Sequence, residues 1–156
     1  MSAGAGLAIA LENSLRYLRT TLSVFDEDDA GFAPRPGMFS VAAQVAHAAD
    51  TVDWFVEGAF GEGWDMDFEG HNERARRVGS LKDATDHLER AYANAVSVIR
   101  EASDAELFAP IADERIMGGA PRSAIVTGIT DHTAHHRGAL SVYARLLDRE
   151  PAMPYA

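Results

Sequence analysis

The chain has 156 residues, 47% of them apolar, and a formal charge of −10 from 24 acidic and 14 basic side chains. That length fits one domain, residues 1–156, around a single core, while an acidic surface with no compact basic patch repels phosphate backbones and argues against a nucleic-acid partner. Cysteine is absent, which excludes disulfides and thiolate metal ligands, and no apolar run approaches the ~20 residues of a membrane span.

The N-terminal stretch has no basic leader before its apolar residues, so it reads as a helix and not as a signal peptide. With the missing cysteines, this points to a cytoplasmic protein. Leu7, Leu11, Leu15, Leu18 and Leu22 recur at spacings of four and three, which predicts a first helix over about residues 4–22. Pro34, Pro36 and Gly37 break the pattern. Ser40 is the expected N-cap of a second helix with a stripe of Val41, Val45, Ala48, Val52 and Phe55, ended by Gly61 and Gly63. Residues 62–79 read as a polar loop in which Trp64, Met66 and Phe68 cover a site, an interface or the bundle end. Ser80-Leu81-Lys82-Asp83 resembles a capping box and opens a third helix to about Ser103, buried along Leu81, Ala84, Leu88, Ala91, Ala95, Val98 and Ala102. A fourth helix is expected from Pro121 to about Asp148, stopped before Pro151 and Pro154. No alternating β-branched run is present. The fold class is therefore all-α: a four-helix bundle whose long inter-helix loops permit a crossover connection.

The fourth helix carries the chemical signal. Its apolar stripe reads Ile125, Ile129, His132, His136, Leu140, Tyr143, Leu147, so two imidazoles stand where aliphatic side chains are expected. A buried polar group without a partner costs roughly 1–3 kcal/mol. One cation satisfies both rings, because side chains at i and i+4 share a helix face. His135 could pair with His132 at i+3, but stripe membership favours His136. Two ligands make a weak site, and a third must come from another helix. His47 is the sole histidine of the second helix, at the edge of its stripe in a row with Gln44, Thr51 and Trp54. His71 in the polar loop and His87 off the third stripe both read as solvated.

The run Asp131-His132-Thr133-Ala134-His135-His136-Arg137-Gly138 resembles the HxxxHRGQ-like signature of the DinB/YfiT-like family of metal-dependent enzymes. The second helix through Val41–His47 and the proline-rich ending after Leu147 are similar to the same family. The resemblance implies one metal held by His47, His132 and His136, a bundle with a non-standard helix order, and a homodimer. Ala139 replaces a glutamine common in the family.

Three neutral imidazoles leave a cation its full charge and an open coordination position, the arrangement of catalytic more than of structural sites. Imidazole does not discriminate among Zn²⁺, Ni²⁺, Fe²⁺ and Mn²⁺. The resemblance implies a transferase that uses a low-molecular-weight thiol cofactor on a small-molecule substrate. A metal-dependent hydrolase is the alternative, with Asp50 or Asp131 as a candidate acid or base. A non-enzymatic stress-response or binding module with a structural metal is the third. Trp54 is a candidate wall of the substrate pocket, and Arg137 a candidate partner for Asp131, Asp50 or an anionic substrate.

Overall fold

The structure is a computed structural model and describes residues 2–155. Four long helices dominate it: α1 (Ala3–Leu22), α2 (Val41–Phe60), α4 (Leu81–Glu101) and α6 (Ile125–Leu146), with two short helices, α3 (Phe68–Arg76) and α5 (Asp104–Phe108). No strand occurs among the described residues, only an isolated bridge between Pro110 and Pro121. No helix among them is long and apolar enough to cross a membrane.

Serine caps open three of the four long helices, α1, α2 and α4. Ser40 Oγ accepts from Ala43 N (3.2 Å) and Ser80 Oγ from Asp83 N (3.1 Å), each satisfying a donor with no partner inside its helix. The expected return bond of a capping box at Ser80 does not form. Glu27, from a 3-10 turn at Glu27–Asp29, instead accepts from Leu81 N (3.0 Å) and Lys82 N (2.9 Å), and these amides hold its carboxyl below the usual range.

The bundle does not run simply up and down. α1 packs against α4 and α6, and α2 packs against the same two helices. The order around the bundle is therefore α1, α4, α2, α6, with the successive helices α1 and α2 on one diagonal. The long segment between them makes that crossing, and Arg149 holds it by donating to Val24 O (2.6 Å) and pairing with buried Asp29. Leu11, Leu18, Leu88, Ile99, Ile125, Ile129 and Leu140 are fully buried where the four helices meet, and each contributes about 1.5–3 kcal/mol by leaving water. Tyr92 of α4 ties three helices together: its hydroxyl bonds Ser14 of α1 (3.0 Å) and Thr133 of α6 (2.7 Å).

Several boundaries and faces differ from those expected. The loop after α2 contains α3, capped by Asp67 Oδ1 on Gly70 N (2.9 Å). α5 sits in what reads as loop, behind a full capping box of Ser103 and Glu106. Pro121 precedes a 3-10 turn at Arg122–Ala124, so α6 proper starts at Ile125. It ends because Asp148 turns into the left-handed region (φ 57°) and Arg149 N reaches Ala144 O (2.9 Å), before any proline. The buried face of α4 ends on Tyr92 and Ile99 in place of Val98 and Ala102. In α6, Thr133 is buried while His132 is only partly so, as is Leu147 just past the helix end.

Candidate metal centre

Packing of α2 against α6 brings His47 to His132 and His136. One nitrogen from each ring lies within 4.8 Å of the other two. The Nε2 atoms of His132 and His136 are 3.2 Å apart, close to the ~3.3 Å that two nitrogens about 2.0–2.1 Å from one tetrahedral ion would show. The helical i, i+4 spacing sets this pair, and the α2–α6 contact sets the third ring, 5.1 and 5.0 Å from the other two between centroids.

Burial pushes His132 down to about 4 and His136 down to about 3, each helped by the neighbouring imidazoles, and it lowers His47 as well. All three rings are neutral at pH 7 and present lone pairs, as metal binding requires. Two ring nitrogens, His47 Nδ1 and His132 Nδ1, are buried without a hydrogen-bond partner. Three uncharged imidazoles with one nitrogen each converging within 4.8 Å cannot all satisfy one another by hydrogen bonds, whereas one cation would take all three lone pairs. The residues therefore fit a divalent cation, and the three histidines can hold one.

His136 is the most enclosed of the three, 5% exposed. Its Nδ1 meets Gln44 Oε1, and Gln44 Nε2 in turn donates to Tyr143 Oη (3.1 Å). His135 is exposed, and its ring centroid lies 6.5 Å from that of His132. It stands at the rim of the site, outside the converging group.

A cavity of about 340 Å³ opens beside His47 and His132, lined by Asp50, Trp54, Phe55, Phe68, His71 and Asn72 among others. Its aromatic wall is a continuous cluster: Trp54 packs against Phe55, Trp64 and Phe68 at centroid distances of 4.5–5.7 Å. Two glycines make room for it. A Cβ on Gly128 would stand 2.6 Å from the Phe55 ring, and one on Gly58 would stand 2.2 Å from Trp64. Trp54 Nε1 donates to Asp65 O (2.6 Å), tying the segment before α3 to α2.

Asp50 faces this cavity one turn beyond His47. Burial raises its carboxyl above the ordinary value, against the lowering effect of His87 and His71. His87, expected to be solvated, is held by Asp53 (Nε2–Oδ2 2.7 Å), lies 3.8 Å from Asp50, and is raised by the Asp53 bond. His71, also expected to be solvated, lines the cavity: its Nδ1 accepts from Arg74 (2.7 Å), and its Nε2 lies 3.1 Å from Asp65 without a hydrogen bond. Asp131 is exposed and lines a second depression with His135, Phe39 and all three converging histidines, His47, His132 and His136. Arg137 is placed away from both. It lines a cleft between α1 and α6, where it donates to Tyr155 Oη (3.2 Å).

Gln44, Phe55 and His71 are the site residues that sequence reasoning missed, while Phe68 covers the site, one of the three places expected for it. Only α3 carried a readable signal: Asp67 before the first turn, Glu69 within it, and Arg74 and Arg76 in the last.

No curated protein matches the chain in sequence. A conserved protein from Enterococcus faecalis, known from its crystal structure, shares the fold with a TM-score of 0.70 at 18% identity, over 93% of this chain and 96% of that one. The sequence itself matches the DinB superfamily over residues 10–140. The chain belongs to the DinB superfamily.

Proposed function

We propose that this protein is a metal-dependent transferase that joins a low-molecular-weight thiol to small electrophiles. The observation that carries the reading is the convergence of three neutral histidines beside a 340 Å³ cavity with an aromatic wall. A divalent ion such as Zn²⁺, Ni²⁺, Fe²⁺ or Mn²⁺ would supply Lewis acidity there, favouring the thiolate form of a thiol near it. Trp54, Phe55 and Phe68 offer apolar surface to the electrophile and exclude water. Asp50 faces the cavity, and burial makes its carboxylate a stronger proton acceptor than a free one. In a substitution the thiol proton passes to Asp50 and the sulfur lone pair forms the new C–S bond. The leaving group departs with its bonding electrons and receives that proton.

The test is turnover of a chromogenic electrophile with glutathione, bacillithiol and mycothiol, before and after treatment with a chelator. The expected result is turnover with at least one thiol, lost with the metal and restored by its return. Metal-loaded protein inactive with every thiol would overturn the reading.

The position of Asp50 also supports hydrolysis, in which the same carboxylate accepts a proton from water. Metal-dependent cleavage of an activated ester without thiol would favour that reaction.

A further inference from the structure

Gln44 lies three residues before His47 on α2, so one turn of this helix supplies a metal-site histidine and a buried amide that reaches α6. Gln44 is 7% exposed, His136 5% and Tyr143 2%, so water does not compete for their polar atoms. Hydrogen-bond polarity can be followed from one end of this buried chain to the other. Phe39 O, a carbonyl, can only accept, and Tyr143 Oη donates its single proton to it (2.9 Å). Tyr143 therefore meets Gln44 with a lone pair, and the amide end that faces it must be the NH₂ group, at 3.1 Å. The other end of the planar amide, Oε1, then faces His136 Nδ1. A carbonyl oxygen there accepts from Nδ1–H, and a neutral imidazole protonated on Nδ1 has its lone pair on Nε2, the atom 3.2 Å from His132 Nε2.

We propose that Gln44 and Tyr143 are positioning residues that lock His136 in its Nδ1–H tautomer and so present Nε2 to the ion. The inference deepens the metal-centre reading and rests on it for the consequence, though not for the tautomer itself. A flipped Gln44 amide would donate to Nδ1 and force the proton of His136 onto Nε2. It would also claim the Tyr143 proton and strip Phe39 O of its donor. The backbone carbonyl of Phe39 thus selects, through two side chains, which nitrogen of His136 is free. Hydrogen bonds from the non-ligating imidazole nitrogen are a general means of fixing the orientation and basicity of a metal histidine.

Long-range ¹H–¹⁵N NMR of the metal-free protein at pH 7.5 reads the tautomer directly. His136 is expected as Nδ1–H in the wild type and shifted toward Nε2–H in Gln44→Leu. Gln44→Glu keeps an acceptor toward Nδ1, so it should retain Nδ1–H even though its second oxygen takes the Tyr143 proton from Phe39 O. Competition with a chromophoric chelator reads Zn²⁺ affinity: about 10–100-fold weaker for Gln44→Leu and at least as tight as wild type for Gln44→Glu. Tyr143→Phe should weaken binding by less than Gln44→Leu, because the acceptor remains and only its orientation is freed. An Nε2–H tautomer in the wild type would overturn the proposal without any variant. So would Gln44→Leu with the wild-type tautomer and affinity. A wild type that fails to bind Zn²⁺ but shows a Gln44-dependent Nδ1–H would refute the metal-enzyme reading and support the tautomer lock.

Discussion

His132→Ala separates a metal ligand from a packing residue. His132 is only partly buried, yet its Nδ1 is buried and unpaired, so truncation removes an unsatisfied group and little core contact. In metal-free protein the variant should melt within about 2 °C of wild type or above it, the range of a substitution worth ~0.5 kcal/mol or less. The metal-bound comparison should differ sharply. An ion at 100 times its Kd stabilises the folded state by ~2.7 kcal/mol, and in a domain of this size each kcal/mol is worth about 2–4 °C. Zn²⁺ should therefore raise the wild-type Tm by roughly 5–11 °C, and most of that shift should vanish in His132→Ala, which retains two ligands. Leu140→Ala is the control: Leu140 is fully buried two turns further along α6, and its truncation should cost about 2–5 kcal/mol with or without metal. Differential scanning fluorimetry across a Zn²⁺ titration measures all three. Equal Zn²⁺ shifts in wild type and His132→Ala would refute the assignment. A metal-free His132→Ala as unstable as Leu140→Ala would do so too.

Three further outcomes are expected. Asp53 raises the pKa of His87 above 6.5, so the folded chain binds that proton more tightly than the unfolded one. The stabilisation is complete below pH 6.5 and is lost as pH rises through the folded value; the Tm deficit of His87→Gln should be largest near pH 5.5 and shrink toward pH 8. Asp50 has the opposite consequence: its raised carboxyl favours the folded state while protonated, and that advantage is lost as pH rises from 3.8 through the folded value. Metal-free Asp50→Asn should accordingly melt higher than wild type at pH 7, by more than at pH 4, and a lower Tm at pH 7 would contradict the burial argument. Tyr92→Phe leaves the hydroxyls of Ser14 and Thr133 without their shared partner; it should cost about 1–3 kcal/mol in urea unfolding with the Zn²⁺ shift unchanged.

Apolar periodicity made the four long helices legible in the sequence, and two polar residues on an apolar stripe marked α6 as the functional helix. His136 over His135 followed from that stripe, and their burial agrees: one is enclosed and the other exposed. His132 shows the limit of the reasoning, since a stripe position at a cavity mouth is only half covered. What was not legible depends on contacts between distant elements. Gln44 reads as a residue of mixed polarity on a helix edge; its role appears only when α6 brings His136 and Tyr143 against it. α3 lacks an apolar stripe because it buries only Ala75 and covers a cavity instead of filling a core. His87 reads as solvated because nothing local predicts the Asp53 of another helix.

The ring order of the helices explains why α2 carries so much of the site. With α4 on one side and α6 on the other, α2, like α1, can address both, and α2 is the one that carries His47. Its Gln44 and His47 meet α6, where neutral imidazoles gather. One and two turns further on, Asp50 and Asp53 meet His87 of α4. Directly after them, on the same helix, Trp54 and Phe55 wall the cavity. A simple up-down bundle would place α2 beside α1, and the metal histidines and the carboxylates could not both share its flanks with α6 and α4. The diagonal crossing of residues 23–40 thus brings a neutral ligand set, a protonatable carboxyl and an aromatic wall to one cavity.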